Sequence, residues 1–400
     1  MRGNSTTLNI CQDDQTSSIT ALDKLALDLT GALRKQGFTI NHGSLVFDVS
    51  SKQKVRKLHS EAVNHLLERN SDFIEKNDAK FAENYVANGS DVIPQEIEPK
   101  LVTVDDREKS DVFNWVKLHW SIPVSSGYGR RLRYLVEDEH TRKIIGVIGL
   151  GDPVYALKDR DTFIGWTPEV KSQRLKHIMD AFVLGAIPPY NMILGGKLVA
   201  SLISSKEIYR DFKKKYGGTK SLIREDIFNG KLAGIATSSA LGKSSVYDRI
   251  KIPKGSQFYH VGWTSGSGDF QFLNGYYDDL LNLIKQRNYT GKNKKWGSGI
   301  RSRRTVVRKS LLLLGLSPRF MYHGVRRELF FVPLGKNWKG FLCGTAKQLR
   351  PYDLSLSEIS EYIKARWMVP RAERDKTYSK FRAESYSLLH PKLTRCLINS

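Results

Sequence analysis

Residues 131–151 read Arg-Leu-Arg-Tyr-Leu-Val-Glu-Asp-Glu-His-Thr-Arg-Lys-Ile-Ile-Gly-Val-Ile-Gly-Leu-Gly. In 131–136, basic residues facing outward alternate with apolar residues facing inward, the period of a half-buried strand. Residues 143–151 are an apolar run broken by Gly146 and Gly149, as in a strand buried on both faces. Asp138, Glu139, His140 and Thr141 supply a turn between the two, so the stretch is predicted to be a hairpin and the fold to be built on a sheet.

Downstream, Thr167-Pro168-Glu169 offers an N-cap, a proline at the first helical position and an acid in the first turn. Leu175, Ile178, Met179 and Phe182 then predict a helix, stopped by Gly185 and Pro188-Pro189. Residues 191–194 read as a strand running into Gly195-Gly196-Lys197, and Leu198, Leu202, Tyr209 and Phe212 mark the next helix. A strand over 232–237, a short helix over 244–250, a strand over 258–263, a Gly/Ser loop and a strand over 270–273 complete an α/β unit.

Upstream, Leu22, Leu25, Leu29 and Leu33 recur at helical spacing, as do Val55, Leu58, Ala62 and Leu66, with a short strand around 45–49 between them. Residues 86–100, with Asn88-Gly89, Pro94 and Pro99, read as a linker. The tail predicts a helix over 276–287, a basic segment, a strand over 325–333 and a helix opened by a capping-box spacing from Ser355 to Glu358. The expected fold is α/β (α+β), a central mixed sheet with flanking helices. It divides into an N-terminal helical unit (1–100), an α/β core (101–275) and a basic C-terminal region (276–400).

Charge is the strongest functional signal. The chain has 400 residues, 64 Lys and Arg, 41 Asp and Glu, and a formal charge of +23. Residues 1–110 hold fourteen basic and seventeen acidic side chains, so the excess lies downstream. Residues 280–327 contain thirteen Lys or Arg and no Asp or Glu, interleaved with Tyr289, Trp296, Phe320 and Tyr322. A solvated helix face mixes signs, because like charges one turn apart repel. An acid-free run with aromatic rings fits a polyanion that offers phosphates to the cations and bases to the rings. Lys292, Lys294, Lys295 and Trp296 fall in a glycine-broken loop. Arg301, Arg303, Arg304, Arg308 and Lys309 enter a helix with Arg304 and Arg308 one turn apart. Nothing resembles a base-reading module, so the expected contact is to the backbone of nucleic acid, DNA foremost.

A second basic cluster, Arg130, Arg131 and Arg133 behind Gly127 and Gly129, reads equally as another phosphate contact or as edge-strand charges that deter aggregation. Gly195, Gly196 and Lys197 at a helix start could present amides and an ammonium to a phosphate, or serve only close packing; the Walker and GxGxxG spacings are missing. Asp152 and Asp161 near Arg160 raise a carboxylate–metal nuclease as a further reading, against ordinary turns and ion pairs. No cofactor motif is present. Cys11, Cys343 and Cys396 are too scattered for a metal site, and none is expected. No apolar run approaches the roughly twenty residues that span a bilayer. The first thirty residues lack the apolar core of a signal peptide, so the chain reads as cytoplasmic.

The segments Gly127-Tyr-Gly-Arg-Arg-Leu-Arg-Tyr-Leu-Val, Ile145-Gly-Val-Ile-Gly-Leu-Gly-Asp-Pro-Val, Arg160-Asp-Thr-Phe-Ile-Gly-Trp, Leu194-Gly-Gly-Lys-Leu-Val-Ala and Leu241-Gly-Lys-Ser-Ser-Val-Tyr-Asp-Arg resemble the DruA family of Druantia anti-phage defence systems. The resemblance implies a cytoplasmic component of a bacterial multi-gene system that also encodes a large helicase-like protein. It carries over no catalytic residue. The element order around Gly195 and Gly196 is also similar to the second half of the GNAT acyltransferase fold. That likeness implies a pyrophosphate held at the glycine turn and a tyrosine acid at the position of Tyr247, although the full Arg/Gln-x-x-Gly-x-Gly/Ala signature is lacking. The leading expectation is a nucleic-acid-binding defence subunit, with a GNAT-like acyltransferase as the alternative and a metal nuclease third.

Overall fold

The computed structural model describes residues 20–220, 227–252, 255–287 and 300–389. A small hairpin, β1 (Thr39–Asn41) and β2 (Ser44–Val46), separates the helices Ala21–Lys35 and Lys52–Glu68. The main sheet comprises β3 (Pro99–Thr103), β4 (Arg131–Asp138), β5 (Lys143–Gly151), β6 (Ile178–Ala186), β7 (Gly234–Ser238), β8 (Tyr259–Trp263) and β9 (Glu328–Pro333). Their spatial order is β3-β4-β5-β6-β7-β9-β8. Every neighbouring pair is antiparallel except β6 and β7. The α/β class with a mixed sheet and flanking helices is as the sequence indicates.

The hairpin read from 131–151 forms as β4 and β5, and alternation, shifted by a bulge at Ile145, sends its side chains to two layers. Tyr134, Val136, Ile145 and Ile148 pack under the helices Gly195–Leu202 and Leu356–Ile363. Leu135, Ile144 and Val147 pack under the helix Arg107–Leu118 and against Phe81 of the helix Ser71–Tyr85. Full burial of one such side chain stabilises by roughly 1.5–3 kcal/mol, which explains why the strand with both faces covered tolerates almost no polar residue. A third cluster joins Leu29, Leu33, Val55 and Leu58 to Phe272, Leu280, Val306 and Leu311. The N-terminal helices therefore share one layer with the helices Tyr276–Gln286 and Ile300–Leu313. Ala87, Val92 and Ile97, from the stretch read as a linker, are buried in the main core.

Four local expectations are corrected. The helix capped by Thr167 ends at Arg174, and residues 178–186 are β6 rather than its continuation. The 3.6-residue spacing of Leu175, Ile178, Met179 and Phe182 also fits a short apolar run, and ladders to β5 and β7 on both sides override it. Since β6 takes the central place, residues 190–193 form a 3-10 turn, not a strand. Residues 244–250 are turns without helix. There the Ser244 N–H donates to Glu328 and the Tyr247 N–H to Ser244 Oγ, so side chains capture backbone donors a helix would use. Phe270–Phe272 is a 3-10 turn instead of a strand.

β6 carries a bulge. Val183 pairs with Gly149 and Ala181 with Leu150, leaving Phe182 as the extra residue. A Cβ at Gly149 would stand 2.5 Å from the Phe182 ring, and one at Gly127, where φ is +68°, would stand 2.7 Å from it. These glycines are spaces that Phe182 fills. Beyond the bulge β6 parts from β7, because their parallel pairing covers only Ile178–Ala181 against Gly234–Thr237.

Candidate functional site

The parting of β6 and β7 opens a cavity of about 390 Å³. Its walls include Trp120, Tyr128 and Phe182, then Thr237, Ser239 and Tyr247 along β7 and the segment that follows, and Ser267, Asp269, Arg304 and Arg327. A second cavity of about 210 Å³ reaches Gly196 and Lys197 and shares Trp120, Leu184, Ser239, Ala240 and Tyr247 with the first.

At the carboxylate end, Asp180 Oδ2 accepts the Val154 N–H at 2.7 Å, while Oδ1 has no hydrogen-bond partner and lies 3.8 Å from Arg160 Nη1. Burial pushes the Asp180 carboxyl up to about 6, with Arg160 pulling the other way. Arg160 is fully buried and donates from Nε and Nη2 to Asp161 Oδ1 at 2.9 and 2.7 Å, and Lys171 donates to Asp161 Oδ2 at 2.6 Å. Asp152 takes Arg130 Nε at 2.7 Å. Asp159 accepts the Trp263 N–H at 2.8 Å. The acids read as possible metal ligands are thus each engaged separately. Among the described residues no group of three His, Cys, Asp or Glu side chains could hold a metal ion.

At the basic end, Arg303 pairs with Asp269 at 2.9 Å, whereas Arg304 Nη2 donates to Ser267 Oγ at 2.9 Å and meets no carboxylate among the described residues. The buried stripe Val306, Val307 and Leu311 orients the helix, which leaves Arg304 at the cavity and Arg308 in solvent. Arg327 stands immediately before β9, where Thr264 fixes its backbone through two hydrogen bonds of 2.9 and 3.0 Å. Its side chain is partly buried at the cavity wall, where desolvation lowers its pKa, and its guanidinium has no hydrogen-bond or ion-pair partner among the described residues. His59 and His323 lie close by and stay neutral. Desolvation and the Arg327 charge hold His59 well below the usual imidazole range and bring His323 to about 3. His59 is fully buried with neither ring nitrogen hydrogen-bonded.

The remaining sequence candidates separate. Lys292, Lys294, Lys295 and Trp296 lie outside the described residues, and Arg301 falls in the first turn of the helix Ile300–Leu313. Lys309 is half-buried on that helix. Arg130 packs over Phe212, Tyr216 and Phe228 and is held by Asp152, so it is an internal strut. Arg131 is exposed, and Arg133 lies over Phe113 and donates to Ser110. Burial, with the charges of Arg133 and Arg131 adding to it, brings Lys117 down to about 8. Lys197 donates to the carbonyls of Val246 and Asp248, each at 2.8 Å, and burial lowers it to about 8. A Cβ at Gly195 would meet the Tyr190 carbonyl at 2.6 Å, so that glycine is required for close packing. Tyr247 is buried, stacked on Phe258 and raised by desolvation, with a hydrogen bond to Thr237.

A family profile described as Druantia protein DruA matches residues 49–344. The chain belongs to the DruA family. A curated DruA protein, "Druantia protein DruA" of Escherichia coli (strain UMEA 4076-1), is 38% identical over 364 residues, 90% of each chain. No solved structure matches. DruA membership makes this chain a component of the Druantia anti-phage defence system. Among its described residues no helix is long and apolar enough to cross a membrane.

In this DruA-family chain the residues that sequence reasoning missed are Asp180, His59, His323 and the distinct status of Arg327. Asp180 was read as part of a helix, and the two histidines have no neighbour in sequence that betrays them. Arg326 and Arg327 look alike in sequence; only the start of β9 turns one outward and the other inward.

Proposed function

We propose that this DruA-family chain is a nucleic-acid-binding component of its defence system, acting in the cytoplasm and holding DNA through the basic segment that begins at Lys292 and continues along the helix Ile300–Leu313. One observation carries the reading. Of the described arginine side chains in the acid-free run, Arg303 alone is ion-paired, while Arg304, Arg308, Arg319 and Arg326 meet no carboxylate among the described residues. Cations left without internal acids suit an external polyanion. Other proteins of the system, including a helicase-like subunit, fit as partners, with the mildly acidic N-terminal helices offered to them.

The test is a salt titration of affinity for single- and double-stranded DNA. Each phosphate contact adds about 0.7 (single strand) or 0.9 (duplex) to the slope of log K against log salt. Replacing Arg304 and Arg308 with Ala should lower the slope by about 1.4 on single strands. Between 50 and 200 mM salt the wild type then loses about sevenfold more affinity than the variant. An unchanged slope refutes the site.

A second reading, the acyltransferase, is favoured by the parted parallel strands and by two cavities that meet at Tyr247, one of them reaching Gly196 and Lys197. Acetyl-CoA should then raise the melting temperature, and failure to do so at millimolar concentration removes it. The nuclease reading keeps no observation behind it, since Arg130, Arg160 and Lys171 neutralise Asp152 and Asp161.

A further inference from the structure

We propose that the 390 Å³ cavity between β6 and β7 is a binding site for a nucleoside phosphate, whose phosphate is taken by Arg304 and Arg327 with Ser267. The inference shares Arg304 with the polyanion reading but stands without it.

Arg327 is partly buried at the cavity wall and its guanidinium cannot shed its proton at physiological pH, so a charge without a carboxylate partner among the described residues faces the cavity. Its surroundings supply no compensating negative charge. Thr264 clamps its backbone, the adjacent imidazoles His59 and His323 contribute no negative charge, and Asp269 of the cavity wall is spent on Arg303. An oxyanion entering the cavity would neutralise Arg327 and Arg304 together, in the charge-assisted geometry that guanidinium favours with phosphate.

The rest of the cavity describes what the phosphate is attached to. Trp120, Tyr128 and Phe182 also line the cavity, and planar aromatic walls suit a base. Asp152 and Asp180 there have the wrong sign for a second phosphate, but a carboxylate accepts from the N–H edge of a base. The volume lies in the range of small-ligand sites, roughly 300–1,000 Å³. A nucleoside phosphate can arrive free or as the 5′-terminal nucleotide of a strand.

The experiment measures binding of nucleoside mono- and triphosphates, inorganic phosphate, and one oligonucleotide with and without a 5′-phosphate to the full chain, by calorimetry and thermal shift. We expect a mononucleotide or the 5′-phosphorylated oligonucleotide to bind better than inorganic phosphate. Arg327→Met and Arg304→Gln should each weaken that binding about tenfold to a hundredfold. Preference for free nucleotides identifies one source, and dependence on the 5′-phosphate the other. Unliganded Arg327→Met should melt close to the wild-type temperature, because no ion pair or side-chain hydrogen bond is lost. Arg308→Ala, outside the cavity, should leave mononucleotide binding unchanged while weakening polynucleotide binding, so the two readings can fail separately. The proposal is overturned if no phosphate-bearing probe binds, if Arg327→Met or Arg304→Gln keeps full affinity, or if Arg327→Met melts well below the wild type, which would make that arginine part of the fold.

Discussion

Asp180→Asn should stabilise the protein at neutral pH, and the gain should vanish in acid. Asp180 has an ordinary carboxyl value of 3.8 that burial raises to about 6 in the folded chain. Because the folded state holds its proton more tightly, the unfolded state binds fewer protons between those two values, and stability falls as pH rises from about 4 to 6. Above pH 6 the full cost is present, about 3 kcal/mol for two pK units. Asparagine keeps an oxygen for the Val154 N–H and removes the charge, while Arg160 remains paired to Asp161. Denaturant unfolding followed by tryptophan fluorescence should put the variant about 1–3 kcal/mol above wild type at pH 7.5 and level with it near pH 4. Equal destabilisation at both pH values would mean that the Asp180–Arg160 attraction outweighs desolvation, and the reasoning fails.

Three further outcomes follow from packing. Gly149→Ala should cost about 1–3 kcal/mol, because its Cβ would press within 2.5 Å of the Phe182 ring; a neutral melting temperature would show that Phe182 can swing aside. Arg130→Met should destabilise by roughly 3 kcal/mol by stranding Asp152, and Asp152→Asn in the same chain should recover part of the loss, a coupling that a double-mutant cycle reads directly. Ser355→Ala removes the arm of a capping box in which the Glu358 N–H donates to Ser355 Oγ, leaving the Ser355 N–H bond to the Glu358 carboxylate, and should cost about 1 kcal/mol in thermal or chemical unfolding.

Element type was legible wherever one period dominated. The alternation of 131–136 and the apolar run of 143–151 became β4 and β5, and the Ser355 signal became a capped helix. Reading failed where two periods fit one segment. Residues 178–186 satisfy both helix and buried strand, and only the neighbours β5 and β7 choose between them. Of the candidate site, the run containing Arg304 and Arg308 stood out because it lacks acids. By contrast, the role of Arg130 was hidden because Asp152, its partner, comes from the adjacent strand's end.

By itself, the amino-acid order determined the segments that alternate or repeat, the basic run after residue 280 and the family likeness, all properties carried by near neighbours along the chain. The sheet order, the bulge at Phe182, the cavity between β6 and β7 and the separation of Arg327 from Arg326 were decided only by tertiary structure. Each depends on pairing and burial between residues far apart in sequence, and desolvation of a charge has no meaning until the surrounding walls exist.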